Sequence, residues 1–342
     1  MTQPNDPMSA LAGSMRSQWQ SFLDIFEPLR PELYKYCGYV TRSPWDAEDL
    51  VQDTLARAFA TLGCLFQPPP NPRAWMFRVA SNLWIDRQRR QRERPSAARD
   101  PDPTSDPRTE AEPRAERDAA STLISQLSPQ ERAAVVLKDV FELSLDEVAD
   151  ALTTSVGTVK SALHRGRAKL TAVEAPLDAL AAPQTPEPQA PSARVLDAFC
   201  DAFNARDLPR LTALLLDTSM VELVGVVTEY GPEASGDPRT GSLPGFLAPI
   251  TPNPDGPGID PRHLEGYRPE PPRVEVREHR GELILLYWYR HDDGEAVRSV
   301  ARASSDGDRL ATLRHYFFAP DALGEVCREL GVPFRTNGYR YW

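Results

Sequence analysis

The stretch SVGTVKSALHRGRAKL, Ser155 to Leu170, carries four cationic side chains, one histidine and no acid. The chain around it has a formal net charge of -10. A cationic island of this kind suits a polyanion: lysine and arginine neutralise phosphates, while small hydroxyl residues at the start of a helix come close to base edges. Val156, Val159, Leu163 and Leu170 recur at helical spacing and are expected to face inward, which leaves Thr158, Lys160, Ser161, His164, Arg165, Arg167 and Lys169 largely exposed. Ser155, Thr158, Lys160, Ser161, Arg165 and Arg167 are the candidate DNA-contacting residues.

Two further stretches have chemistry in their spacing. PRAWMFRVASNLWIDRQRRQRER sets seven arginines between Arg73 and Arg94 against Asp86 and Glu93, with Trp75, Phe77 and Trp84 interleaved. Cations beside aromatics suit unstacked bases and their backbone, although core packing is the expected role of those three rings. WDAEDLVQDTLARAF places Leu50, Val51, Leu55, Ala58 and Phe59 on one helical side, with Asp46, Glu48, Asp49, Gln52 and Asp53 elsewhere, a polar face suited to a protein partner. Asp217, His279, His291 and His315 are the residues able to do acid–base work, but sequence spacing does not fix their mutual geometry, and surface or core roles are expected for each. Cys37, Cys64, Cys200 and Cys327 form no CxxC pair and no zinc spacing. No catalytic residue, metal or cofactor is assigned.

These stretches need elements to position them. With 342 residues the chain exceeds one core, so two or three domains are expected. Residues 17–94 read as helical, with Phe22, Ile25, Phe26 and Leu29 in phase. Ser43-Pro44-Trp45-Asp46 marks a helix start. Residues 95–118 hold almost no large apolar side chain and predict a flexible linker. Helical periodicity resumes over 119–174, where SPQE at Ser128 and SLDE at Ser144 are capping boxes. The short helix LDEVADAL and the turn Thr153-Thr154-Ser155 lead straight into the basic stretch, a helix-turn-helix arrangement. A Pro/Ala-rich linker follows at 175–191.

Residues 192–342 differ in kind. Two helices, RVLDAFCDAFNARD and LPRLTALLLD, precede a strand near Met220 to Val227, and a loop-like region from Thr228 to Pro272 holds 11 prolines and 7 glycines. RVEVREH, ELILLYWYR, AVRSVARAS and RLATLRHYFF then alternate with the turns HRG, DDG and SDGD. The pattern predicts an α+β domain with a curved antiparallel sheet and helices on one side.

The first 175 residues resemble a sigma-70 family RNA polymerase initiation factor of the extracytoplasmic-function group. DAEDLVQDTLARAF looks like the region 2 helix that binds the polymerase clamp, PRAWMFRVASNLWIDRQRR like the promoter-melting and minus-ten-reading helix, and the segment from Leu127 to Leu170 like region 4, which reads the minus-thirty-five element. The resemblance implies two all-α domains, a region 2 helical bundle at 17–94 and a region 4 helix-turn-helix at 119–174. Asp49, Gln52 and Asp53 would then pair with the clamp coiled coil of core RNA polymerase, and Asn82, Asp86, Arg89 and Arg90 would lie by the melted minus-ten strand. Ala162 stands where the family often has arginine and Gly166 where alanine is common, which implies one lost phosphate contact and a helix softened by ~1 kcal/mol. FCDAFNARDLPRLTALL resembles the opening of a SnoaL-like, nuclear-transport-factor-like cone, which implies a regulatory domain at 192–342.

The expected function is promoter-specific transcription initiation. The partners are core RNA polymerase at its clamp coiled coil and flap, promoter DNA, an intramolecular contact of the C-terminal domain with the sigma domains, and a small-molecule ligand in the cone. The alternatives are a SnoaL-class isomerase or hydrolase with a DNA-targeting N-terminal part, and a repressor, which leaves the polar face of DAEDLVQDTLARAF unexplained. No basic, apolar leader opens MTQPNDPMSA and no long apolar run follows it, so a cytoplasmic protein that makes no membrane contact is expected. The aromatic tail FRTNGYRYW either docks on a neighbouring domain or completes the cone's own core.

Overall fold

A computed structural model describes residues 7–93, 127–171, 191–250 and 259–340. The chain divides into two units, Met1–Pro183 and Gln184–Trp342. The two expected linkers lie outside the described residues, apart from Pro191.

The first unit is all helical. α1 spans Pro7–Phe26, and a 3-10 turn at Glu27–Leu29 joins it to α2, Arg30–Thr41. α3 runs from Pro44 to Leu62 and α4 from Pro72 to Glu93. Ser43 caps α3 by accepting the Asp46 N–H at 3.2 Å, as its sequence predicts. Leu33, Tyr36, Cys37 and Val40 of α2 close a core with Leu50, Val51, Leu55 and Ala58 of α3 and with Phe77, Ala80 and Trp84 of α4. α1 begins ten residues before the expected start at 17. Its Trp19 and Phe22 rings pack on Phe59, and Phe26 lies 5.8 Å from Trp75, whereas Ile25, expected inside, is exposed.

α5 covers Pro129–Val135 and widens into a π turn over Val136–Val140; α6 is Leu145–Ala151 and α7 is Val156–Thr171. Both capping boxes form, Ser128 with Glu131 and Ser144 with Glu147.

The second unit begins with α8, Ala193–Asn204, and α9, Leu208–Ala213. Strands β1 (Leu215–Leu223) and β2 (Val227–Tyr230) precede the short helices α10 (Gly231–Gly236) and α11 (Ser242–Leu247). β3 (Arg273–His279), β4 (Glu282–His291), β5 (Gly294–Asp306) and β6 (Arg309–Tyr316) form a meander, and α12 covers Pro320–Leu330. The six strands make one open sheet in the order β2-β1-β6-β5-β4-β3. Four of its pairs are antiparallel, but β1 runs parallel to β6, so the sheet is mixed. β2 and β3 run in the same sense because α10 and α11 carry the chain across between them, which sequence alternation alone does not reveal. Register shifts at Tyr287/Trp288 and Ser304/Ser305 bend and twist the central strands. Phe199 and Phe203 of α8 pack on Leu285, Tyr287, Ala301 and Leu313 as the core of this unit.

The tail completes its own unit. The Arg335 N–H donates to the Val297 carbonyl and the Val297 N–H to the Pro333 carbonyl, Phe334 bridges to Val297, and the Tyr339 hydroxyl donates to Asp321. Tyr341 and Trp342 lie outside the described residues. No described helix is long and apolar enough to cross a membrane.

Candidate nucleic-acid interface

α7 is anchored through Val159, Ala162, Leu163 and Gly166, all buried, while Val156 and Leu170 are half-buried. Ser155 caps it by accepting the Thr158 N–H at 3.2 Å, and its hydroxyl lies 2.9 Å from that of Thr158. The Ser161 hydroxyl donates to the Gly157 carbonyl at 3.0 Å. These hydroxyls shape the start of the helix as well as line it.

The cations divide into two flanks. On one, Arg165 and Lys169 donate to the two carboxylate oxygens of Glu131 at 3.1 and 2.7 Å. Burial raises the Glu131 carboxyl, but hydrogen bonds from Lys169, the Ser128 N–H, Arg165 and the Ser128 hydroxyl outweigh it and hold it at about 2. On the other flank Arg167 pairs with Asp139 at 3.0 Å, beside an apolar-floored cleft of about 490 Å³ lined by Lys138, Leu145, Lys160, Leu163, His164 and Arg167. Lys160 and His164 are both exposed there. His164, Lys138 and Glu131 were not among the sequence-chosen residues. His164 was legible from its place one turn after Lys160, but Glu131 was absorbed by its capping box.

The candidate sets on α3 and α4 meet less openly. Gln52 donates to Glu48 at 2.7 Å, and Glu48 is fully buried in an ion pair with buried Arg30, so this acid is not on the expected polar face. Its carboxylate is held inside because Arg30 of α2 enters the same core. Asp53 pairs with Arg87 of α4, and Asp49 is half-buried beside it on α3. On α4 the Asn82 amide meets the Thr153 hydroxyl at 3.3 Å, Asp86 lies 3.5 Å from Arg89, and Arg89 and Arg90 are exposed. Phe77 and Trp84 are core residues, as expected.

A family profile described as Sigma-70 region 2 matches residues 25–94, and one described as Sigma-70, region 4 matches residues 117–170. The ECF RNA polymerase sigma factor SigW of Bacillus subtilis is 30% identical over 165 residues, which cover 44% of this chain and 87% of SigW. The chain belongs to the ECF RNA polymerase sigma factor family. SigG of Mycobacterium tuberculosis is 33% identical over 225 residues, 58% of this chain and 60% of SigG, so less than two thirds of that relative's length is matched. SigJ of the same species is 26% identical over 296 residues, 77% of this chain and 89% of SigJ, an alignment too long to stay within the first unit.

In this sigma factor the two family departures on α7 gain a physical account. Ala162 faces the core, so a longer side chain there would not simply extend toward phosphate. At Gly166 an added Cβ would lie 2.8 Å from Val135 Cγ2, so glycine lets α7 and α5 approach closely and is more than a softening of the helix. The residues able to do acid–base chemistry do not converge. Asp217 is exposed, and His279 and His291 sit near opposite ends of β4, roughly 30 Å apart at strand rise. His279 pairs with Glu329, and His315 is sealed among Phe246, Tyr287 and Phe317. Among the described residues no group of three or more His, Cys, Asp or Glu could hold a metal.

Proposed function

We propose that this chain directs promoter-specific transcription initiation. Region 2, at 17–94, would bind core RNA polymerase at its clamp coiled coil through Asp49, Gln52 and Asp53 and the minus-ten element through Asn82, Asp86, Arg89 and Arg90. Region 4, at 119–174, would meet the flap and read the minus-thirty-five element through Ser155, Thr158, Lys160, Ser161, Arg165 and Arg167. The observation that carries this reading is the ordered pair of region 2 and region 4 matches, the second ending on a capped helix-turn-helix whose outer helix bears no acid.

The domain at 192–342, joined through the 175–191 segment, modulates that activity through the sigma domains and through a small molecule in its sheet-and-helix core. The work is cytoplasmic and non-enzymatic, a reading supported by the dispersal of Asp217, His279, His291 and His315. Adding the purified chain to core RNA polymerase and scoring runoff RNA from cognate and scrambled promoters tests it. RNA from the cognate template alone is expected, and equal RNA from both would refute promoter-specific initiation. In a pull-down with the purified polymerase clamp fragment, Asp49→Ala is expected to weaken capture. Gln52 is a poorer choice, since it also serves the buried Arg30–Glu48 pair.

A further inference from the structure

Three polar side chains meet inside the C-terminal unit with nothing to bond. Tyr287 of β4 stands directly across from Ser299 of β5, and His315 of β6 pairs with Ala301, two residues further along β5 and so on the same face. The Tyr287 and His315 rings meet edge to face with centroids 4.4 Å apart. All three residues are fully buried. The Tyr287 hydroxyl, the Ser299 hydroxyl and both ring nitrogens of His315 have no hydrogen-bond partner among the described residues.

Leaving buried polar atoms unpaired destabilises a fold, and an apolar side chain of the same shape removes that cost. Groups kept against local stability point to a function. Their chemistry says what they would take. A neutral imidazole offers one donor and one acceptor, and each hydroxyl can both donate and accept. Burial alone pushes the His315 pKa down, to about 3, so the ring is neutral and no charged neighbour stands ready to balance an ion. The matching group is a hydroxyl on an uncharged molecule, which also donates and accepts.

The place in front of these groups is shaped for a ring. Phe246 of α11 lies 4.2 Å from His315 with 34° between the ring planes, and Phe317 stacks near the same imidazole at 5.8 Å and 25°. Phe203 of α8 closes the side of Tyr287 at 5.3 Å. α11 is six residues long and is held by its first turn, where Leu243 is buried in the core and the Ser242 N–H donates to the Glu229 carboxylate at 3.1 Å. Phe246 lies beyond those anchors, so a change of its own rotamer clears the volume of one aromatic ring beside His315.

We infer that Tyr287, Ser299 and His315 form a binding site for an uncharged, hydroxyl-bearing aromatic molecule of one ring, the chemical class of phenol, and that Phe246 plugs this site until the ligand displaces it. This rests on the proposal above that the C-terminal domain takes a small molecule, and adds the ligand class, the residues that recognise it and the gate.

Ligand-observed NMR titration of the full chain with phenol, and with toluene as the isostere lacking the hydroxyl, tests the site. The parent chain is expected to bind phenol at least about tenfold more tightly than toluene, because only phenol satisfies the orphaned groups. Tyr287→Phe and His315→Phe should each cut that preference at least about threefold without lowering the urea unfolding midpoint. Phe246→Ala, which removes the competing ring, should tighten phenol binding at least about threefold. Equal binding of phenol and toluene by the parent and by Phe246→Ala would overturn the site, and so would a preference unchanged in both phenylalanine variants. Runoff RNA from the cognate promoter, with and without saturating phenol, separates the two levels. Hydroxyl-dependent binding with unchanged RNA would uphold the site and sink ligand control of initiation. No such binding, with RNA still altered by deletion of residues 192–342, would sink the site and leave modulation by the domain standing.

Discussion

Arg165 and Lys169 share one carboxylate, and that carboxylate also caps α5. Glu131 therefore fixes both where Arg165 points and how much of its charge remains for phosphate. Glu131→Gln keeps the side chain's size and its acceptor for the Ser128 N–H but removes the negative charge. We expect promoter binding by the reconstituted holoenzyme to become more salt-dependent, the slope of log affinity against log salt steepening by about one unit or more. Lys160→Ala should flatten the same slope by about one unit. Titration of promoter affinity from low to moderate salt measures both, and slopes that match the parent would place these side chains away from DNA. Stability supplies a second readout at this residue. The Glu131 pKa is depressed on folding, so its contribution is present above about pH 4.3 and is lost as pH falls toward 2.

At the scale of the element, α7 contains two glycines whose surroundings differ. Gly166 faces α5 with Val135 Cγ2 only 2.8 Å from where a Cβ would sit, whereas at Gly157 the nearest atom is Ser155 Oγ at 3.7 Å. Replacing a helical glycine with alanine gains up to about 1 kcal/mol of helix propensity, but overpacking a close interface costs about 1–3 kcal/mol. Gly157→Ala is thus expected to raise the unfolding midpoint in urea, and Gly166→Ala to lower it. Equal stabilisation by both would mean that α5 and α7 yield without strain. The family resemblance reads Gly166 as a softening of the helix itself; the neighbouring helix α5 decides its effect.

For the whole molecule, acid should act first on the C-terminal unit. Burial pushes the His315 pKa down to about 3; burial, then Arg298 and Arg335, push that of His291 to about 4. Both bind a proton more readily unfolded, near pH 6.5, so the stability they contribute is full above that value and falls as pH drops from 6.5 toward the folded values. Each can contribute up to about 1.4 kcal/mol per pH unit. Calorimetry of the full chain at pH 7, 6 and 5 should show the C-terminal transition descending, and His315→Phe should reduce that descent. A transition that stays put would contradict neutral burial of these rings. Deleting residues 192–342 should change transcription from the cognate promoter while leaving core polymerase binding in place. Deleting only the tail from Phe334 should destabilise its own unit, because Phe334 and Arg335 are bound into β5.

Local rules were enough for the caps at Ser43, Ser128 and Ser144, for the four meander strands and for the basic helix with its turn, because each depends on neighbours within a few residues. The parallel β1–β6 pair, the sealing of Glu48 against Arg30, the taking up of Arg165 by Glu131 and the seat of Phe141 in region 2 were decided by the tertiary structure. Each joins positions at least 18 residues apart, where no periodicity records a partner. Side-chain type announced which residues could meet phosphate, base or polymerase; only packing determined which of those charges are already spoken for within the chain.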